Sequence, residues 1–201
     1  MLPYNPSTVL VVVDVQNDFA DPAGSLSVSG GTAVIATINR EIENATRAGA
    51  LVVATQDWHP ESTPHFATDG GPWPVHCVAD TWGAALHPDL TLPNDAPRVR
   101  KGANGEDGYS GFAMRDPTNG REVPTTLDGL LRDRAIERVI VCGLATDYCV
   151  KATALDAARL GYETLLLTEA IAAVNLDPGD GARSIAEMTA AGVSQWPTAI
   201  R

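Results

Sequence analysis

Val139-Ile140-Val141-Cys142-Gly143-Leu144-Ala145-Thr146-Asp147-Tyr148-Cys149-Val150-Lys151 runs on through an alanine-rich segment that ends in Leu160-Gly161. Residues 139–141 form a short β-branched apolar run, the pattern of a strand covered on both faces, and the run breaks at Gly143. The segment after that glycine predicts a helix, with Thr146 or Asp147 as N-cap and Gly161 as its stop. At about 100° per residue, Lys151, Asp156 and Arg159 share the outward side of that helix, and Val150, Ala154, Ala157 and Ala158 the buried side. Strand, tight turn and helix place Cys149 in the first helical turn. Unpaired N–H groups and the helix dipole there favour a thiolate and can hold an oxyanion. Taken alone, Cys149 is most simply a small buried apolar residue; chemistry is read from the company it keeps.

Toward the N-terminus, residues 1–7 form a Pro-containing lead-in, and 8–13 (Thr-Val-Leu-Val-Val-Val) a buried strand ending in a charge, Asp14. Residues 15–31 read as loop, and 32–48 as a helix with Ile35, Ile38, Ile42 and Ala45 on one face and Gly49 as its stop. A second buried strand, 51–55, leads into Gln56-Asp57-Trp58-His59. Residues 60–96 are rich in Pro, Gly and Trp without a period, and a loop of that length is usually functional. Residues 98–101 are a further strand candidate and 102–123 a Gly-rich loop, with a short helix next at 126–135. Beyond Gly161 come a strand at 164–167, a helix at 178–191 and a short edge strand at 193–195. Apolar strands alternating with helices predict a single α/β domain spanning 1–201, in three layers, with a parallel sheet wrapped on both faces by right-handed crossovers.

The formal charge of −11 argues against nucleic-acid or anionic-membrane partners. No apolar run approaches a membrane span and no secretory leader pattern opens the chain, so a cytoplasmic protein is expected. Three cysteines, Cys77, Cys142 and Cys149, form no Cys-x-x-Cys pair, which points away from a disulfide framework and from a four-thiolate zinc site. The 178–191 helix can face solvent or a second copy in a homo-oligomer.

In a parallel sheet, sites lie beyond the carboxyl ends of the strands. Residues found there are Asp14, then Asp57 with His59, then Lys101, then Cys149. A carboxylate, a metal-type cluster, an amine and a thiol thus share one edge. Of the four histidines, His59, His65 and His76 fall in one irregular loop beside Asp57. Neutral imidazoles with one carboxylate are the ligand set of borderline divalent metals. His87, before Pro88, reads as structural. Phe19 and Trp73 border the same region and can frame a slot for a flat ring.

These residues resemble the nicotinamidases, within the isochorismatase-like cysteine hydrolases. The matching pieces are Asp14-Val-Gln-Asn-Asp-Phe19, the Gly24 to Gly31 segment with Leu26, Asp57-Trp-His-Pro60 with His65, Trp73-Pro-Val-His-Cys-Val78, Lys101-Gly, Tyr109-Ser-Gly-Phe112 and Gly143-Leu-Ala-Thr-Asp-Tyr-Cys-Val150. They run in family order over about two thirds of the chain. The resemblance implies a sheet of six parallel strands and a triad of Cys149, Asp14 and Lys101. It implies one divalent metal ion (zinc, iron or manganese) on Asp57, His59 and His76, with His65 as a ligand in some members. It further implies a cis Leu144-Ala145 peptide, oxyanion donors at the Ala145 and Cys149 N–H groups, and a substrate pocket of Phe19, Leu26, Trp73, Tyr109, Leu144 and Tyr148. The implied substrate is nicotinamide, in NAD salvage, with pyrazinamide of similar shape. Other readings are a related amide or ureide hydrolase, a mononuclear iron oxygenase or metal-binding protein in which Cys149 is core, and a silent binding module.

Overall fold

The computed structural model describes residues 4–196; residues 1–3 and 197–201, which belong to the expected 1–201 domain and in part to its lead-in, lie outside the described residues. Along the chain run β1 (Thr8–Val13), the one-turn helix α1 (Asn17–Ala20), α2 (Ile35–Arg47), β2 (Leu51–Asp57), β3 (Arg98–Lys101), and the short strands β4 (Ala113–Arg115) and β5 (Glu122–Pro124). Next come α3 (Leu127–Asp133), β6 (Arg138–Leu144), α4 (Lys151–Arg159), β7 (Glu163–Ala172), α5 (Asp180–Ala190) and β8 (Ser194–Trp196).

Among the described residues, six strands form one sheet in the order β3-β2-β1-β6-β7-β8, every pair parallel. Alternation along β1 shows why both faces need cover. Leu10 and Val12 pack with Ile35, Ile38, Ile42 and Ala45 of α2 on one side, whereas Val9, Val11 and Val13 pack with Leu127 and Leu131 of α3, Ala154 and Ala157 of α4 and Met188 of α5 on the other. Each isoleucine or leucine so buried stabilises the fold by roughly 1.5–3 kcal/mol. Crossovers from β1 and from β6 therefore leave on opposite faces. The gap between them, beyond the carboxyl ends of β1 and β6, is the topological switch point where an open α/β sheet leaves a crevice.

Several boundaries differ from the sequence reading. The central strand does not break at Gly143 but continues to Leu144, with its register against β7 slipping between Val141 and Gly143. Gly143 adopts φ 111°, and a Cβ there would run into the Val13 backbone. Neither Thr146 nor Asp147 caps the next helix. Ala145 holds the N-cap position, and its carbonyl accepts from both Tyr148 N–H and Val150 N–H at 3.1 Å, which widens residues Thr146–Val150 into a π-helical turn before α4. The strand expected at 51–55 reaches Asp57, and that expected at 164–167 extends to Ala172, because parallel neighbours continue to pair with them. Two expected loops hold short elements: α1 within 15–31, and the β4–β5 hairpin, which begins within 102–123 and ends one residue beyond it at Pro124. His87 is buried as a structural residue, its backbone N–H donating to Val15 O at 2.9 Å and its Nδ1 accepting from Asp89 N–H at 3.2 Å.

Candidate active site

Four strand ends bring the expected side chains together. Asp14 comes directly after β1 at φ 48°, a left-handed conformation that aspartate tolerates better than most residues. Its Oδ1 accepts from the Thr55 hydroxyl at 2.6 Å, and its backbone N–H donates back to Thr55 Oγ1 at 3.2 Å. Lys101, last in β3, reaches across with Nζ 2.8 Å from Asp14 Oδ2, 2.6 Å from Asp57 Oδ1 and 3.5 Å from Cys149 Sγ. Ligand-type atoms of Asp14, Asp57 and Cys149 all lie within 4.8 Å of one another. Asp57 ends β2 and is held by Gln16, whose Oε1 accepts from Asp57 N–H at 2.8 Å and whose Nε2 donates to Asp57 O at 2.7 Å.

One positive charge thus serves two buried carboxylates and a thiol. Burial pushes the Asp14 carboxyl above the usual carboxylate range, with Lys101 pulling against it and Asp57 adding to it. Burial acts the same way on Asp57, but there the Lys101 ammonium and the neighbouring histidines outweigh it and hold the carboxyl well below that range. Burial works to discharge Lys101, and the two carboxylates overcome it, so the amine stays protonated. For Cys149 the helix-start expectation of a favoured thiolate is reversed. Burial and the two carboxylates outweigh Lys101 and push the thiol well above its ordinary value. The resting sulfur is protonated, and a base must take its proton.

The three loop histidines converge. A ring nitrogen from each of His59, His65 and His76 lies within 4.8 Å of the others, and all three are buried. His76 Nδ1 lies 2.7 Å from Pro74 O, and His65 Nδ1 lies 2.7 Å from Asp107 Oδ1. Both partners only accept, so both Nδ1 atoms carry hydrogen and both Nε2 atoms keep a lone pair. Burial pushes His76 down to about 4 and His65 below its ordinary value, which leaves both rings neutral at pH 7. Among the described residues neither nitrogen of His59 has a hydrogen-bond partner although the ring is 1 % exposed, and its Nε2 is 3.8 Å from Asp57 Oδ2. Buried polar atoms left in that state are rare. Three buried imidazoles with converging ring nitrogens, that of His59 beside an Asp57 oxygen, fit a divalent cation such as zinc.

A pocket opens over the thiol. Phe19, Leu26, Val28, Trp73, Tyr109, Tyr148 and Val174 wall it, and Asp57, His65, His76, Ala145 and Cys149 reach its surface. The space among these side chains, open solvent at the mouth included, is about 380 Å³. Trp73 and Tyr109 meet Tyr148 edge-on at 4.9 and 5.3 Å, and Trp73 Nε1 donates to Tyr109 Oη at 3.0 Å. Phe19 stands beside His76, ring centres 5.5 Å apart. Leu144, expected in the pocket wall, does not line it. It is the last residue of β6 and fully buried in the core; its peptide to Ala145 is cis, and it is Ala145 that reaches the pocket. Val174, and Val28 inside the Gly24 to Gly31 segment, join the wall without having been expected there. Thr55 and Gln16 likewise carry no sequence expectation, although Gln16 stands inside the Asp14 to Phe19 motif.

A doubly wound parallel sheet that carries a buried thiol, carboxylate and ammonium at its switch point, beside a histidine cluster, defines an α/β amide hydrolase. The chain belongs to the isochorismatase family: the isochorismatase domain matches residues 8–198. It is 41 % identical over 210 residues to the nicotinamidase of Escherichia coli, covering 96 % of each chain. Among solved structures it is similar to the pyrazinamidase of Pyrococcus horikoshii in complex with zinc (TM-score 0.85, 41 % identity, 96 % of this chain and 99 % of that one). It is also similar to PnC1 from L. infantum in complex with nicotinate (TM-score 0.88, 40 % identity, 98 % and 96 %).

Proposed function

We propose that this chain is a nicotinamidase, hydrolysing nicotinamide to nicotinate and ammonia in NAD salvage, with pyrazinamide as a further substrate. The carrying observation is that the protonated Cys149 thiol, with Asp14 and Lys101 behind it, sits in an aromatic pocket that also receives His65 and His76. A related ureide hydrolase would need the thiol site but not the three converging imidazoles.

Phe19 and Trp73 take the two faces of the ring and turn the carboxamide toward Cys149. Asp57, His59, His65 and His76 would hold a divalent cation (zinc, iron or manganese), which when bound acts as a Lewis acid toward the pyridine nitrogen and anchors the ring. Cys149 Sγ bonds to the carboxamide carbon as Asp14 takes the thiol proton, a role to which its raised pKa is matched. Lys101 keeps Asp14 ionised and oriented. The negative charge on the carbonyl oxygen is received by the N–H groups of Ala145 and Cys149. Asp14 passes its proton to the amide nitrogen, the C–N bond breaks and ammonia leaves. Asp14 then deprotonates water, which adds to the thioester carbon. The C–S bond breaks, the sulfur takes the proton back from Asp14, and the product acid loses its own proton to solvent and departs as nicotinate.

Incubation of the zinc-loaded protein with nicotinamide, with ammonia, nicotinate and dissolved oxygen measured together, tests this. Equal amounts of ammonia and nicotinate with no oxygen consumed are expected. Oxygen uptake, or no ammonia, would overturn it.

A further inference from the structure

The three imidazoles are not held alike. His76 finds its acceptor two residues away in its own loop, at Pro74 O. His59 has none among the described residues. His65 depends on Asp107, 42 residues further along the chain, in the strap that leaves β3. Asp107 is half-exposed, yet its backbone is fixed twice to β4: its N–H donates to Arg115 O at 2.8 Å, and its carbonyl accepts from Arg115 N–H at 2.6 Å. Its Oδ1 also accepts from Gly108 N–H at 2.8 Å. The carboxylate that reaches His65 is therefore set by the β4–β5 hairpin. The same strap begins at Lys101 and continues to Tyr109, which bonds Trp73 across the pocket.

A neutral imidazole has one N–H and one lone pair, and the partner of one nitrogen determines what the other can do. With Asp107 on Nδ1, His65 keeps its lone pair on Nε2, in a ring that has a nitrogen within 4.8 Å of those of His59 and His76. Without it, the ring is free to carry its hydrogen on Nε2, which cannot then ligate. Carboxylates in this position orient metal-ligating histidines and raise their basicity, and their loss typically weakens metal binding by about 10–100-fold.

We propose that Asp107 is a positioning residue that locks the tautomer and orientation of His65 and so makes it a metal ligand, carrying the state of the β4–β5 hairpin into the metal site. This rests on the reading of Asp57 and the three histidines as a metal site.

The test measures Zn²⁺ affinity, by competition with a chromogenic chelator, for the wild type, Asp107→Ala and Asp107→Asn, together with ¹⁵N NMR of the His65 ring in each metal-free protein. Asp107→Ala should bind zinc about 10–100-fold more weakly, and its His65 should exchange between tautomers. Asp107→Asn should recover most of the affinity and keep the Nδ1–H form, since its amide oxygen still accepts. Wild-type affinity in Asp107→Ala with an unchanged His65 tautomer would overturn this inference alone. Failure of the wild type to take up zinc would overturn the metal reading and this inference with it.

Discussion

The ammonium of Lys101 lies 2.8 Å from Asp14 Oδ2, and both side chains are fully buried. With Asp57 at 2.6 Å on the same nitrogen, this one cation faces two buried carboxyl groups. Removing one partner of such a cluster leaves an uncompensated buried charge, at a cost of about 3–5 kcal/mol. Lys101→Met should lose roughly that much stability in urea unfolding, and adding Asp14→Asn should restore a large part of it. Additive losses in the double variant would show that the two residues do not act as a pair.

Asp14→Asn keeps the shape of the side chain and removes the base, so kcat/KM for nicotinamide should fall by about 10²–10⁴. Asp14 must be ionised to accept the thiol proton, so activity is present above its pKa and lost as pH falls through it. Because burial raises that pKa, the acid limb of the wild-type profile should lie above the ordinary carboxylate value of about 3.9. An acid limb at or below that value would contradict the assignment.

Chelation of the metal should weaken nicotinamide binding by on the order of tenfold or more, equivalent to about 1.4 kcal/mol, with recovery when zinc, iron or manganese is returned. Binding is measured calorimetrically rather than through turnover. A metal-free protein of normal affinity would remove the ring-anchoring role from Asp57 and the histidines.

Gly143 and Gly161 both have positive φ, 111° and 90°, but a Cβ at Gly143 meets the Val13 backbone whereas at Gly161 it meets open space. Gly161→Ala should therefore cost only the conformational strain, about 1–2 kcal/mol. Gly143→Ala should cost clearly more and also reduce turnover, because the strand end that carries Ala145 must shift. Equal losses at the two positions would mean that the close approach of β1 and β6 is not what requires glycine there.

Much of this architecture is legible in the chain because its signals are local. Buried parallel strands read as unbroken apolar runs, and all six strands of the sheet can be placed from the sequence, down to the four-residue β3 and the three-residue edge strand β8. The order of chemistry at the strand ends is a consequence of parallel topology alone. The features that escape a sequence reading depend on contacts between distant segments. Asp57 belongs to β2 only because β3 pairs alongside it, and the wide turn at Thr146–Val150 arises from a carbonyl shared at Ala145. The resemblance implies Leu144 as a pocket residue, but as the last residue of β6 it packs its side chain into the core. Val28 and Val174 carry no chemical signature, and Val174 is brought to the pocket by the Asp147 carboxylate, which accepts its N–H at 2.9 Å and that of Asn175 at 2.8 Å. The protonated state of Cys149 cannot be read from its position at a helix start, because the burial that opposes a thiolate, and the two carboxylates that add to it, arise from packing against other strands.

Replacing the sulfur probes the account at its root. Cys149→Ala, assayed for ammonia release from nicotinamide and in parallel for nicotinate binding, should show no turnover above background with product affinity kept. A variant that still releases ammonia at a rate near the wild type would mean that the sulfur of Cys149 is not the nucleophile and that the Asp14 and Lys101 roles built on it are wrong.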